Sequence, residues 1–231
     1  LLKVIGVPML AVCVLGMTGC SSMTNTGKGA LIGGGAGTGV GAGLGALIGG
    51  GKGAAIGAAI GAAVGTGAGV LIGKKMDKQQ AELEAELAKQ AQIEKTTDAN
   101  GLQAIKVTFN SGILFPTNGT TLNANAKADL SKFASSLINN PNTNVQIYGY
   151  TDDTGSLAVN ERVSTGRADA VRNYLLNSGV QANRLSAQGL PMQDYVASNS
   201  TPEGRAQNRR VEIYITANQQ MIDAANAGTL K

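Results

Sequence analysis

Apolar positions follow three different patterns along the 231-residue chain. A continuous apolar run extends from Val4 to Met17, and glycine then recurs at every fourth position from Gly29 to Gly73. Beyond residue 100, helical and strand-like spacings of apolar residues alternate. The pattern therefore predicts a leader, a close-packed helical region and a C-terminal folded domain.

The folded domain is predicted over residues 101–217. Strands are expected at 105–109, 145–149 and from 210, and helices at 126–137 and 158–178. Strands interleaved with helices indicate an α+β fold, a two-layer α/β sandwich of βαβαβ-β order. All five tyrosines and three phenylalanines lie beyond residue 100, so an ordinary packed core is expected only there. Residues 218–231 are left as a tail without an assigned role.

One charged residue interrupts the apolar face of the second predicted helix. Arg167 lies between Val163 and Val171 at intervals of four, where a charge is costly unless it is paired. Asp152 and Asp153, in the turn before this helix, are the nearest acidic cluster. The sequence thus predicts a carboxylate beside a guanidinium, either as a ligand site or as a structural ion pair.

Two further charges follow on the closing strand. Arg210 and Glu212 alternate with apolar neighbours, which predicts that they lie on the other face of the sheet from the core. We expect that strand surface to be solvated.

The N-terminal segment has the layout of a secretory leader over residues 1–19. Its end, LGMTGCSS, resembles the lipobox of bacterial lipoproteins, which implies cleavage before Cys20 and lipid on that cysteine. Residues 20–26 would form the lipidated N-terminus. Serine after the cysteine, at Ser21, resembles the pattern of lipoproteins that are sent to the outer membrane. The alternative is an ordinary leader with an incidental cysteine.

The glycine stripe lies in an internal repeat that starts at Gly27 and again at Gly51. The two arms, Ala30 to Gly49 and Ala54 to Gly73, predict a glycine-zipper hairpin over residues 27–74, each arm having about 20 residues, near the length of a bilayer span. A flexible spacer is the alternative, and the sequence leaves open whether the hairpin spans the membrane or forms a homo-oligomer. A solvated helical spacer is expected over residues 75–100.

Ordered motifs between Ile105 and Thr216 resemble the OmpA-like peptidoglycan-binding domain, which is also found in peptidoglycan-associated lipoproteins and flagellar stator proteins. They are FPTNGTTL, GYTDDTG, NERVSTGRADAV, GVQANRLSAQGL and ASNSTPEGRAQNRRVEI. The resemblance implies that Asp152 and Arg167 hold the diaminopimelate of the peptidoglycan stem peptide. It also implies a lining formed by Asn118, Thr154, Asn160, Asn208 and Arg209.

Composition excludes several other functions. The net charge of +4 forms no basic stripe, so nucleic acid is not an expected partner, and the absence of histidine removes the usual base and metal ligand. A wall hydrolase using Asp152 and Asp153 would have neither a metal centre nor an activating histidine, so no enzyme, cofactor or metal is expected. We expect a lipid-anchored outer-membrane protein whose periplasmic domain tethers the envelope to peptidoglycan. The alternative is a membrane-perturbing or channel-forming glycine-zipper oligomer that the wall-binding domain positions.

Overall fold

The computed structural model describes residues 66–116 and 118–231. In chain order the elements are α1 (Thr66–Leu87), β1 (Gln92–Thr97), β2 (Gln103–Asn110), α2 (Ser111–Leu114), α3 (Ala124–Asn139), β3 (Thr143–Tyr150), α4 (Leu157–Asn177), a 3-10 turn (Ala182–Arg184), β4 (Leu185–Leu190), α5 (Pro202–Asn208), β5 (Arg210–Ala217) and α6 (Gln219–Asn226). The leader, the Cys20 region and most of the glycine-zipper hairpin lie outside the described residues.

The five strands form one sheet in the order β1-β2-β5-β3-β4. Only β3 and β4 are parallel, and α4 is the crossover between them. Apolar side chains of α3 and α4 pack on one face of the sheet, where the rings of Phe109 and Phe133 meet edge to face at 6.4 Å. This arrangement confirms the predicted two-layer α+β fold.

The prediction of a solvated spacer over residues 75–100 was wrong. Helix α1 carries an apolar stripe whose members Ile72, Met76, Leu83 and Leu87 are fully buried against the domain. Strand β1 then pairs with β2 as an edge strand. The folded unit therefore begins at or before Thr66, and residues 66–97 belong to it.

Helix α1 also includes the end of the predicted second zipper arm, Ala54 to Gly73. Ala68 and Ile72 are 6% and 0% exposed, because they face the domain core. The end of that arm is thus packed against protein. Among the helices of the described ranges, none combines the length and apolarity of a membrane span.

The segment predicted as a tail also packs on the domain. Asn218 caps α6 by accepting a hydrogen bond from the Met221 backbone N–H at 3.0 Å. Met221, Ile222 and Ala225 are buried in the common core, where α6 lies against α1. The C-terminal helix therefore stabilises the position of the N-terminal helix.

The charged face of β5 is buried, which corrects the expectation of a solvated surface. Arg210 and Glu212 are only 3% and 4% exposed, and Arg210 Nε lies 2.7 Å from Glu212 Oε1. The Arg210 guanidinium stacks on the Tyr150 ring at 3.9 Å, and the Tyr214 hydroxyl donates to Glu212 Oε2. Both charges do lie opposite the core, as predicted, but tyrosines of β3 and β5 cover them.

Candidate ligand-binding site

The site begins in the turn that follows β3. The carboxylate of Asp152, which is 4% exposed, accepts hydrogen bonds from the backbone N–H and the hydroxyl of Thr154, at 3.0 and 2.5 Å. The Asn160 side-chain amide fixes this turn by donating to the carbonyls of Thr154 and Ser156. Ser156 also caps α4. Local hydrogen bonds therefore hold the carboxylate at the beginning of the helix.

The partner of Asp152 is Arg209, which lies between α5 and β5. Arg209 Nη1 lies 2.5 Å from Asp152 Oδ2, and its side chain remains 40% exposed. Burial alone would raise the pKa of Asp152, but the hydrogen bonds from Thr154 and Arg209 outweigh it and hold the pKa below its usual value. Asp152 is therefore a carboxylate at neutral pH.

Arg167 projects toward the same site from the middle of α4. It is 3% exposed, its Nε donates to the Gly119 carbonyl at 3.0 Å, and its guanidinium lies 5.4 Å from the Phe115 ring centroid. Burial and the nearby charge of Arg209 lower its pKa, while the charge of Asp152 acts in the opposite direction. Among the described residues, Arg167 has no ion-pair partner, and its two terminal nitrogens have no hydrogen-bond acceptor.

Two glycines bring α4 close enough to the sheet for this arrangement. A Cβ on Gly149 of β3 would lie 2.2 Å from the Ser164 carbonyl oxygen, and one on Gly189 of β4 would lie 2.4 Å from Thr165 Oγ1. Ser164 and Thr165 immediately precede the turn of helix that carries Arg167. The distance between Arg167 and the end of β3 thus depends on glycine at both strand positions.

The other predicted site residues differ in their exposure and in their hydrogen bonds. Asn118 is exposed with a φ of 56°, and Thr154 is exposed but uses its hydroxyl on Asp152. Asn208 is fully buried, and both ends of its amide are occupied by residues 196–199. Asn160 and Asn208 therefore position loops, whereas Asp152, Arg167 and Arg209 form the charged centre.

Sequence reasoning missed two contacts of Arg167. Phe115 and the Gly119 carbonyl hold its guanidinium, and both lie in the stretch FPTNG. The motif was visible, but its link to Arg167 depends on tertiary packing between residues far apart in sequence.

The centre combines two guanidinium groups with one carboxylate, so its net charge is positive. Such a set can hold an anion or a zwitterion by charge-assisted hydrogen bonds. Within the described part of the chain, no cluster of histidine, cysteine or carboxylate side chains could hold a metal ion.

Residues 114–209 match the model of the OmpA family. The C-terminal domain therefore has an OmpA-like fold. Residues 2–77 match a second model, the YMGG-like Gly-zipper, which supports the predicted glycine zipper. The two matches together agree with the resemblance drawn from the motifs.

Comparisons with individual proteins agree with this family. The chain is 42% identical to the probable lipoprotein YiaD of Escherichia coli over 48% of that protein and 46% of this chain. It is 40% identical to the peptidoglycan-binding protein ArfA of Mycobacterium tuberculosis over 48% of this chain and 34% of ArfA.

A solved structure supports the fold. A MotB-like protein from Desulfovibrio vulgaris is 28% identical, covers 64% of this chain and 94% of its own, and superposes with a TM-score of 0.55. The chain spans about half or less of the length of the curated relatives named above.

Proposed function

We propose that this protein binds peptidoglycan non-covalently through the diaminopimelate of the stem peptide and tethers the outer membrane to the wall. The observation that carries the proposal is Arg167, a buried guanidinium near Asp152 but not ion-paired with it, with only a backbone carbonyl as its hydrogen-bond partner among the described residues. ArfA, which is named for peptidoglycan binding, resembles the domain that contains both residues.

The chemistry of the ligand fits the chemistry of the centre. Diaminopimelate carries an ammonium and a carboxylate on one carbon. Its carboxylate would accept two parallel hydrogen bonds from the terminal nitrogens of Arg167, and its ammonium would donate to Asp152. Arg209 forms an ion pair with Asp152 and is partly exposed, so on ligand binding it would either share the Asp152 carboxylate with the ligand ammonium or move away from it. The net positive centre also suits a stem peptide that carries several carboxylates.

The two ends of the domain suit a tether. Asp152 follows the C-terminal end of β3, whereas Lys75 of α1 shares a surface depression with residues 140–142, which precede β3. Eight strand residues rise about 26 Å at 3.3 Å each. Gly73 of α1 likewise lies beside Gln103, the first residue of β2 at that end. The chain that leads back to Cys20 therefore joins the domain at the end far from Asp152.

The membrane attachment is also part of the proposal. The LGMTGCSS stretch supports lipid on Cys20, and YiaD, a relative, is named a probable lipoprotein. Metabolic labelling with a fatty-acid analogue should mark the wild-type chain and not Cys20→Ser, and the variant should shift away from the outer-membrane fraction. Equal labelling of both proteins would contradict lipidation at Cys20.

Wall binding is tested by sedimentation of the mature chain in detergent with purified sacculi. We expect retention on walls that contain diaminopimelate and weak retention on walls with lysine at that position, which lacks the second carboxylate. Asp152→Ala and Arg167→Ala should each reduce retention about tenfold or more, because each leaves a ligand charge without its partner.

Matched variants make this test specific. Asp153→Ala removes an exposed carboxylate next to Asp152 and should leave retention unchanged. Arg167→Lys keeps the charge but loses the planar fork, so it should bind weakly. Equal retention of wild type, Asp152→Ala and Arg167→Ala would overturn the proposed site.

A second candidate function follows from the Gly-zipper match to residues 2–77. Small residues at four-residue spacing let helices approach closely in lipid, so this region could oligomerise and perturb a membrane while the domain positions it. Dye release from liposomes by the full chain, lost in Gly57→Leu/Gly61→Leu, would support this candidate. Release that is unchanged in the variant, or absent from both proteins, would count against it.

A further inference from the structure

The loop between β4 and α5 presents two large apolar side chains to solvent. Tyr195 is 41% exposed and Val196 is 56% exposed, although neighbouring parts of the domain bury their apolar residues. We call these two side chains the 195–196 wall. An exposed apolar pair of this kind needs an explanation only if the backbone holds it in place and a ligand site lies beside it.

Hydrogen bonds with buried polar side chains fix the backbone of this loop. The Arg210 guanidinium donates to the Asp194 carbonyl at 2.9 Å, and the Asn208 amide oxygen accepts from the N–H groups of Val196 and Ala197, at 2.8 and 3.0 Å. Arg210 is 3% exposed and Asn208 is fully buried. The exposed pair is therefore held on a fixed backbone.

The same contacts place the wall next to the charged centre. The Met192 N–H donates to the hydroxyl of Thr151, which precedes Asp152, and Arg210 follows Arg209. The residues on each side of the Asp152–Arg209 ion pair thus anchor the loop. Burial, together with the charges of Asp153 and Asp152, raises the pKa of Tyr195, which agrees with this position.

The backbone of the loop is strained as well. Met192 and Asp194 adopt φ angles of 51° and 53°, in the left-handed region that side chains other than glycine rarely enter. Such strain persists where surrounding contacts impose it, and it concentrates at ligand sites. Here the hydrogen bond that the Thr151 hydroxyl accepts from Met192, and the one that Arg210 donates to the Asp194 carbonyl, impose it on the residues that lead to Tyr195.

We propose that the 195–196 wall contacts the methyl group of the D-alanine that follows diaminopimelate in the stem peptide. This inference rests on the proposed function, because the wall adjoins the centre that would hold diaminopimelate. The residues joined to diaminopimelate in the stem are glutamate and D-alanine. Of these two neighbours only D-alanine carries a methyl group, and an exposed apolar surface favours the burial of that group.

The test compares three ligands by calorimetric titration of the mature chain in detergent: free diaminopimelate, the tripeptide that ends in it, and the tetrapeptide with D-alanine added. Wild type should bind the tetrapeptide about fivefold more tightly than the tripeptide, as expected for burying a methyl group on an aromatic ring. Tyr195→Ala should abolish this difference while leaving the affinities for free diaminopimelate and the tripeptide unchanged. Tyr195→Phe should preserve it.

A matched control removes an exposed apolar side chain elsewhere. Leu176→Ala, at the far end of α4 and 36% exposed in the native protein, should keep the wild-type preference for the tetrapeptide. A preference that survives in Tyr195→Ala would overturn the inference, and so would an equal loss of affinity for tripeptide and tetrapeptide. Wild-type protein that ignores all three ligands would instead refute the diaminopimelate site itself.

Discussion

Replacing Gly149 by alanine should weaken both the fold and ligand binding. Gly149 is the residue of β3 that faces the backbone of Ser164 in α4, two residues before Thr151 and three before Asp152. A Cβ there would lie 2.2 Å from the Ser164 carbonyl oxygen and 3.1 Å from its carbonyl carbon. Because both atoms belong to helix backbone, the helix as a whole must move to make room.

The size of the effect follows from this geometry. Ordinary contacts of a Cβ begin near 3.4 Å, so the strand and helix must separate by about 1 Å. Overpacking of this kind costs about 1–3 kcal/mol of unfolding free energy, and sometimes more. The same displacement would move Arg167, one turn beyond Ser164, away from Asp152. We therefore expect about a tenfold loss of affinity for sacculi, since bidentate contacts require well-aligned partners.

Urea unfolding followed by circular dichroism measures the stability change, and sedimentation with sacculi measures binding. Gly112→Ala is the matched control, because Gly112 lies in α2 with open space around its Cα. It should leave both measurements within error of wild type. A Gly149→Ala variant with wild-type midpoint and wild-type retention would refute the idea that close contact between strand and helix sets the position of Arg167.

Three further predictions address burial and charge. Glu212→Ala should lower the unfolding free energy by about 3–5 kcal/mol in urea, since it leaves Arg210 buried without its carboxylate, and Arg210→Met/Glu212→Leu should lose less. A chain beginning at residue 100 should show no cooperative thermal unfolding, because it lacks β1 and the four fully buried side chains of α1, each worth about 1.5–3 kcal/mol. Because the pKa of Asp152 is lowered, its ion pair is intact above pH 3.8, the ordinary pKa of aspartate. The ion pair is lost as the pH falls through the lower pKa that Asp152 has in the folded protein. Retention on sacculi should thus be unchanged between about pH 7 and pH 5 and should fall only below pH 3.8.

The sequence alone was sufficient to predict the elements in which buried residues recur at a regular spacing. Apolar spacing predicted β2, β3, β5 and the two long helices α3 and α4, and the charge of Arg167 within an apolar stripe was enough to mark the site. The immediate ion-pair partner of Asp152 was not Arg167, however. Asp152 pairs with Arg209, which lies 57 residues further along the chain, between α5 and β5. Local spacing carries no information on such a contact.

The extent of the folded unit was misjudged for a similar reason. In α1 the buried residues Ala68, Ile72 and Met76 recur every four positions, next to glycines with the same spacing. The glycine period dominated the interpretation, so the apolar stripe of α1 was not predicted to be buried. On β5, alternation identified the face that holds Arg210 and Glu212, but it could not show which side chains cover that face.

In the proposed function, Asp152 and Arg167 together hold the zwitterionic end of diaminopimelate. The most direct test of this proposal is calorimetric titration of the mature protein with free diaminopimelate, alongside Asp152→Ala, Arg167→Ala and Asp153→Ala. We expect saturable binding by wild type and Asp153→Ala, with loss of binding in the other two. No binding by wild type, or equal affinity in all four proteins, would contradict the proposal.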